Sequence, residues 1–573
     1  MRAVEGGETV TALPPMSPMP PMPPLPPMLW IALHLPALSL ESWAATRDAS
    51  QAGRPLVLLQ DHQVQHADAL ALARGVRPGM KRATALALAP DLLLAAADVR
   101  RDAQALRAVA HVALAFSPAV AWATPADLRA QGANADARPT PSPALVGVRL
   151  EVHASLRYFG GLDALLQRLR AALAPLGHRV QIASAPTALG AALLAGWRDD
   201  AVLASGPHSA GPGCWQALQS LLDAVPLHLL GAGLGQAQVM QGMGLHTLAD
   251  LRPLPRDGLA RRFGPALLTE IDRARGQAPE AHDWLSLPAC FASRIELLCR
   301  ADTSAQVLAG AQVLLGRLLA WAGASQARVA RFTLLMHHET RRRRDRLSGD
   351  KPSAQTTLDI KLAEPMADAK HLHSLLAERL GRLPLAAPAL ELSLHCAHLV
   401  AAAAPNGELF ASRSSEREGL ARLVERLQAR LGAAQVQSLA PVPDHRPECG
   451  TRWQPADPAR LGTHAGVHVG AHAGAQPALH TLALTALAAQ PLWLLPEPLA
   501  LRVRAQAPLL DGQPLRRLAG PERLESGWWD AQGPALRDYF IAQAASGALV
   551  WVYRQRVPTD TAGTAWYLHG LFG

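Results

Sequence analysis

The run LLGAGLGQAQVMQGMGLHTLADLRPLPRDGLARRFG, Leu229 to Gly264, constrains the fold more than any other stretch of the sequence. Leu-Leu-Gly-Ala-Gly, followed by Ala237 and an apolar helix, has the form of a helix-hairpin-helix. Gly231 and Gly233 would let the backbone turn tightly and bring bare N–H groups up to a phosphate, where a Cβ would clash. The N-terminus of the next helix favours the same anion. Such a hairpin holds a nucleic-acid backbone without reading its bases. Arg261 and Arg262, in the LARRFG that closes the run, are two more phosphate-contact candidates. The alternative is an ordinary αα-hairpin with a glycine turn.

At 573 residues the chain has room for several domains, roughly three to five at ~100–200 residues each. Lys+Arg number 55 against 46 Asp+Glu, a formal +9, and lysine occurs only at Lys81, Lys351, Lys361 and Lys370. Arginine suits bidentate phosphate contacts, but a chain rich in Arg and Ala also follows from a GC-rich genome. Charge alone therefore does not establish a polyanionic partner. Cys214, Cys290, Cys299, Cys396 and Cys449 form no C-x-x-C pair. That argues against a disulfide framework or a zinc site and fits a reducing, cytoplasmic setting. No apolar run reaches the ~20 residues of a membrane span. In PPMSPMPPMPPLPPM the prolines break the apolar core that a signal peptide needs. Residues 1–27 are thus expected to be a disordered Pro/Met-rich extension, with Met28 a second candidate start.

Periodicity organises the rest. Leu29–Leu40 and Pro55–Gln60 read as strands, Glu41–Ala52 as helix, Leu70–Ala89 as helix interrupted by GVRPGM, and Asp98–Phe116 as a long amphipathic helix. Val146–His153 and His178–Ser184 are further strands; Gly161–Leu176 and Thr187–Trp197 are helices; Gln131–Pro143 reads as a surface insertion. These make a sheet domain over 28–225, with the hairpin region at 226–282. From 283 to 400, three strand-like segments (ARVARFTLLMHHE, QTTLDIKLAE, ALELSLHCAHL) alternate with the helices Ser304–Ala322 and Asp368–Leu380, as in a small α+β domain. Residues 401–490 hold one charged amphipathic helix and a low-complexity linker. Residues 491–573 are a strand-like tail where Trp528, Trp529, Tyr539, Phe540, Trp551, Tyr553, Trp566 and Tyr567 gather. Most of these aromatics read as core, and the rest as anchors for a partner. The fold class is α+β, multidomain.

In that order, the sheet domain, hairpin and α+β domain resemble the Y-family translesion DNA polymerases. ARGVRPGM with ATALALAPDLLL (Ala73–Leu94) is similar to the family's fingers. LEVHASLRYFGG (Leu150–Gly161) is similar to a palm strand and its turn, and VQIASAPTALGAALLA to the next strand and helix. The resemblance covers about Met28 to Val400 and implies a palm and fingers, a helix-hairpin-helix thumb and a little-finger-like domain. Active members hold two Mg²⁺ on carboxylates beside the reacting phosphate. Here the matching first strand is IALHLPALSLESW. His34 stands at the first carboxylate position, Pro36 at the second, and Ser39 near the bulky sugar-sensing residue. A neutral imidazole is a poor ligand for hard Mg²⁺. The family's S-L-D-E pair is replaced by SPAVAWATPADLRA, where Asp127 is the one nearby acid, and Glu151 falls at a structural acid of the following strand. The resemblance therefore implies a degenerate member with no catalytic residue, cofactor or metal.

Within the family this combination is similar to the ImuB group, UmuC-like homologues of the bacterial mutasome. That similarity implies a damage-response scaffold that binds DNA and the beta sliding clamp. It further implies recruitment of an error-prone C-family DNA polymerase and a RecA-like, ImuA-type protein. PNGELF (Pro405–Phe410) fits the extended Q-x-x-L-F form of clamp-binding peptides. Leu409 and Phe410 match the apolar anchors, and Asn406 replaces the usual glutamine with a shorter amide. LAPVPDHRPE and the tail from Glu525 also resemble this group's C-terminal interaction region.

His464, His468 and His472 are four apart, but glycine between them and the lack of any carboxylate or cysteine favour a linker over a metal site. Arg341, Arg342, Arg343 and Arg344 form a basic run between strands, either a solvated loop or a set of phosphate contacts. Two other functions stay open. An active, Mg²⁺-dependent translesion polymerase with displaced ligands would draw on Asp61, Asp127 or Glu151. A helix-hairpin-helix glycosylase would need a catalytic Asp or Lys soon after the hairpin, and Gly244–His282 contains no lysine.

Overall fold

A computed structural model describes residues 28–122, 145–203, 212–232, 236–338, 355–401, 413–458, 490–529, 533–556 and 565–572. The chain divides into two compact units, 1–406 and 407–573.

In the first unit β1 (Trp30–His34) is the middle strand of five. The strands β2 (Leu56–Gln60), β3 (Gln63–Ala67) and β4 (Leu93–Ala96) form a separate three-stranded sheet in the order β3-β2-β4. The larger sheet adds β5 (Val120–Trp122), β6 (Gly147–Glu151), β7 (Gln181–Ala185) and β8 (Ala201–Val202), in the order β5-β6-β1-β7-β8. β1 runs antiparallel to both neighbours, with Trp30 opposite Glu151 and Ala185, and His34 opposite Gly147 and Gln181.

Every residue of β1 is buried because both faces of the sheet are covered. Ile31 and Leu33 join a core with the helices Val99–Leu114 and Leu162–Leu173. Trp30 and Ala32 join another with the helix Ala188–Trp197. A strand covered on both sides reads as a continuous apolar run, not as an alternation. The extended segment is shorter than the sequence predicts. Proline cannot donate to a ladder, and beyond Pro36 the chain turns into the helix Leu38–Ala44. Gly147 is required where β6 meets β1, since a Cβ there would strike the Leu33 carbonyl oxygen. In YFGG, Gly160 (φ 84°) and Gly161 (φ 110°) take left-handed conformations that a side chain disfavours.

The hairpin region does not stand apart from the sheet domain. Its helices Ala237–Gly242, Leu248–Leu251, Arg256–Phe263 and Pro265–Ala274 share one core with Ala188–Trp197 and with Pro212–Asp223. Thr187 fastens the two parts: its hydroxyl donates to the Ala274 carbonyl (2.7 Å) and accepts from the Gly190 N–H (3.1 Å). The connector that follows crosses back over the palm sheet. Leu285 N–H donates to Val120 O at 2.8 Å, and Trp284 stacks on Trp30 with ring centroids 6.0 Å apart.

Four strands, β9 (Phe291–Ala301), β10 (Ala327–His338), β11 (Gln355–Met366) and β12 (Ala389–Ala401), make the α+β domain in the order β11-β10-β12-β9. β9 is one strand more than the sequence reading named. The helices are Ser304–Ala324 and Ala369–Arg382. Ser304–Ala324 corrects the expectation that no apolar run would be long enough for a membrane. It has 21 residues, and an 18-residue window of it has mean hydropathy 1.5, long and apolar enough by length and composition. Here it serves as a core helix, with Val307, Leu314, Leu318 and Trp321 buried.

The second unit holds the helix Arg413–Leu431, a hairpin of Gln437–Pro441 with Thr451–Pro455, and a seven-stranded sheet. Tyr539, Phe540, Trp551, Tyr553 and Trp566 are buried in that sheet's cores. Tyr567 is half-buried. Trp528 and Trp529 instead stand 77% and 57% exposed.

Candidate nucleic-acid interface

The end of β1 where a polymerase would carry its acids is closed off. His34 is buried, and its Nδ1 lies 3.1 Å from the Val146 carbonyl oxygen. A carbonyl only accepts, so Nδ1 carries the proton. Burial lowers the pKa, against the opposing pull of that hydrogen bond, and the ring is neutral at pH 7. Pro36 is half-buried in the turn. The Ser39 hydroxyl donates to the Asp102 carboxylate, and Ser42 approaches the same group at 3.4 Å. Burial pushes Asp102 up to about 6.

Glu151 is at the opposite end of the strand pair. It faces Trp30, four residues or ~13 Å along β1 from His34. Its Oε1 accepts from the Leu29 N–H (3.2 Å) and the His153 N–H (2.9 Å), which is a structural task. Asp61 turns the β2–β3 hairpin with φ 49°. Asp127 lies outside the described residues. Among the described residues no group of three or more His, Cys, Asp or Glu converges as a metal site. A neutral imidazole, a proline and a serine do not fit two Mg²⁺ ions.

The hairpin loop differs from its sequence reading in a specific way. The Gly231 N–H is not bare: it donates to Glu270 Oε1 at 2.8 Å, and the Ala232 N–H donates to Oε2 at 2.9 Å. A carboxylate of this chain sits where a phosphate was expected. The helix after the loop, Ala237–Gly242, has only six residues, too few to add much of a dipole. Gly233 lies outside the described residues. A second carboxylate acts similarly nearby. Glu280 accepts from Leu189 N–H (3.1 Å) at the start of Ala188–Trp197, and Arg149 pairs with it at 3.4 Å. Neither glutamate was anticipated. Glu270 is 39 residues from its loop partner, and nothing local marks it.

Arg261 and Arg262 are exposed at the end of Arg256–Phe263, and among the described residues neither has an ion pair. The neighbouring arginines are engaged: Arg252 and Arg275 with Asp223, and Arg256 with Asp272. The α+β sheet adds a surface that the sequence reading missed. On its outer face Arg294 pairs with Glu391 and Arg331 with Asp359, while Lys361 stands opposite Arg331. Alternation in FASRIEL was the available signal for that face. Arg341–Arg344 and the clamp motif residues Asn406, Leu409 and Phe410 lie outside the described residues.

No family model matches the chain. Protein ImuB of Caulobacter vibrioides, in each of two strains, is 29% identical over 515 residues, spanning 87% of this chain and 100% of the relative. Over most of its length the chain is similar to these ImuB proteins. Among solved structures, a Dbh ternary complex aligns with a TM-score of 0.34 and 13% identity, over 65% of this chain and 100% of that one. DinB from Sulfolobus solfataricus aligns with a TM-score of 0.33 and 14% identity, over 65% and 99%. Scores this low add nothing to the topology described above. His34 and Pro36, the filled hairpin loop and the exposed Arg261 and Arg262 are all features of the first unit.

Proposed function

We propose that this chain is a non-catalytic DNA-binding scaffold of damage-induced translesion synthesis. It would link the beta sliding clamp to an error-prone C-family DNA polymerase and a RecA-like, ImuA-type partner. The carrying observation is the register of β1. His34 is tied to Val146 and Glu151 faces Trp30 at the far end, so the acid nearest in sequence logic is not near in space. Support for DNA contact comes from the exposed Arg261 and Arg262, which are suited to phosphate. The clamp assignment rests on PNGELF alone. Partner recruitment is supported by the solvent-facing Trp528 and Trp529. An active polymerase would need Asp61, Asp127 or Glu151 beside His34.

A primer-extension assay with Mg²⁺ or Mn²⁺, run beside a clamp pull-down, tests both halves. No nucleotide should be added. Leu409→Ala with Phe410→Ala should abolish clamp capture while sparing DNA affinity and Tm, because such anchors commonly contribute about 2 kcal/mol or more each. Incorporation that disappears in Glu151→Ala or Asp127→Ala would establish the polymerase reading instead.

A further inference from the structure

Arg317, on the helix Ser304–Ala324, is 3% exposed. Its Nη1 donates to Gln104 Oε1 (3.3 Å) and Ser293 Oγ (3.2 Å), both neutral groups. Among the described residues no carboxylate pairs with it, and the charge it feels is that of Arg101, a second buried guanidinium. Burial draws Arg317 down only to about 10, so it remains a cation at neutral pH. A buried cation without a counter-charge is costly, and the fold offers it none.

Beside it lies a cavity of about 390 Å³, where the palm helix Val99–Leu114, the connector and β9 meet. That volume is in the range of small-molecule sites. Arg107, His111 and Arg317 line it together with the apolar Leu114, Trp122 and Phe291. No carboxylate lines it among the described residues. His111 Nδ1 is buried without a hydrogen-bond partner.

We propose that this cavity binds a small organic anion, a phosphate or carboxylate carried on an apolar body. Arg317 and Arg107 take the charged group, and Trp122, Leu114 and Phe291 surround the body. Because palm, connector and α+β domain all supply wall, an occupant fastens the α+β domain to the palm.

Thermal unfolding of the full chain at constant ionic strength tests the site, with phenyl phosphate and benzoate as probes and phenol as the uncharged control. At saturation one or both anions should raise the Tm of the first unit by ~2–4 °C, and phenol should not. Whichever anion acts identifies the charged group. Arg317→Met exchanges the buried charge for an apolar chain and should fold yet lose the rise. Arg107→Ala, at an exposed position, should fold and weaken binding about tenfold. Alkylation of Cys290, exposed on the cavity wall, gives a site-resolved readout: the anion should slow it several-fold in the parent chain and not in Arg317→Met. A full Tm rise in Arg317→Met, or Cys290 alkylation unaffected by either anion, overturns the proposal. Should Arg317→Met not fold, Arg107→Ala and Cys290 protection decide alone.

Discussion

The central strand of the first unit and the long strand Trp493–Arg504 of the second treat water in opposite ways. β1 has no exposed residue, whereas Trp493–Arg504 leaves most of its residues in solvent, Trp493 at 71%. The contrast extends beyond the strands. In the first unit Glu270 occupies the loop N–H groups, and Glu280 the start of Ala188–Trp197. The second unit leaves Trp453, Trp493, Trp528 and Trp529 uncovered. Large exposed aromatics rimmed by polar groups mark places where another molecule docks. Among the described residues the first unit exposes fewer large aromatics, Tyr158 and Trp284.

The largest expected effect tests the second half of that contrast. Trp551 is buried and stacks on Tyr539 with ring centroids 4.0 Å apart. Trp551→Ala should cost the second unit about 3–5 kcal/mol in urea unfolding. The double variant Trp528→Ala, Trp529→Ala should stay within about 0.5 kcal/mol of the parent and lose partner capture. If the double variant is as destabilised as Trp551→Ala, the pair is core and the contrast fails.

A middle-sized effect concerns the cost of closing the first unit. Asp102 has a folded pKa of about 6, raised by burial above its unfolded value. The native state then holds the proton more tightly than the unfolded chain, so stability should fall as pH rises from about 4 to about 6 and level off above. The shift corresponds to about 2–3 kcal/mol. Asp102→Asn should flatten that slope and stabilise the first unit at pH 7. Urea midpoints at pH 4.5 and 7 give the answer, and an unchanged slope in the variant removes Asp102 as the cause.

The smallest effect asks whether the filled loop also meets DNA. Glu270→Gln removes a negative charge from the Gly231–Ala232 amides and should tighten DNA binding at low salt about three- to tenfold. Unchanged affinity would mean that the loop does not meet phosphate.

The sequence was a good guide where a pattern is local. The helix Val99–Leu114 was legible from its amphipathic spacing, and Ala188–Trp197 was placed to within a residue. The short strands β3, β4 and β5 were not, because three to five residues carry too little alternation to separate from a loop. His34, Pro36 and Glu151 were visible as residues, but their surroundings were hidden. That Glu151 sits opposite Trp30 is a matter of register, which only the paired strands reveal. Likewise Gly231 was visible while Glu270 was not, since a contact 39 residues away leaves no periodic trace.

The hydrogen bond from His34 to Val146 also sets which side chains position 34 accepts. An aspartate at position 34 would bring only acceptors to a carbonyl that needs a donor, so ionised it would repel that oxygen and protonated it could bind no cation. Position 36 would still be a proline, in a turn that leads straight into a helix. A carboxylate at position 34 is thus uphill on its own account. A backbone carbonyl selects for a donor there.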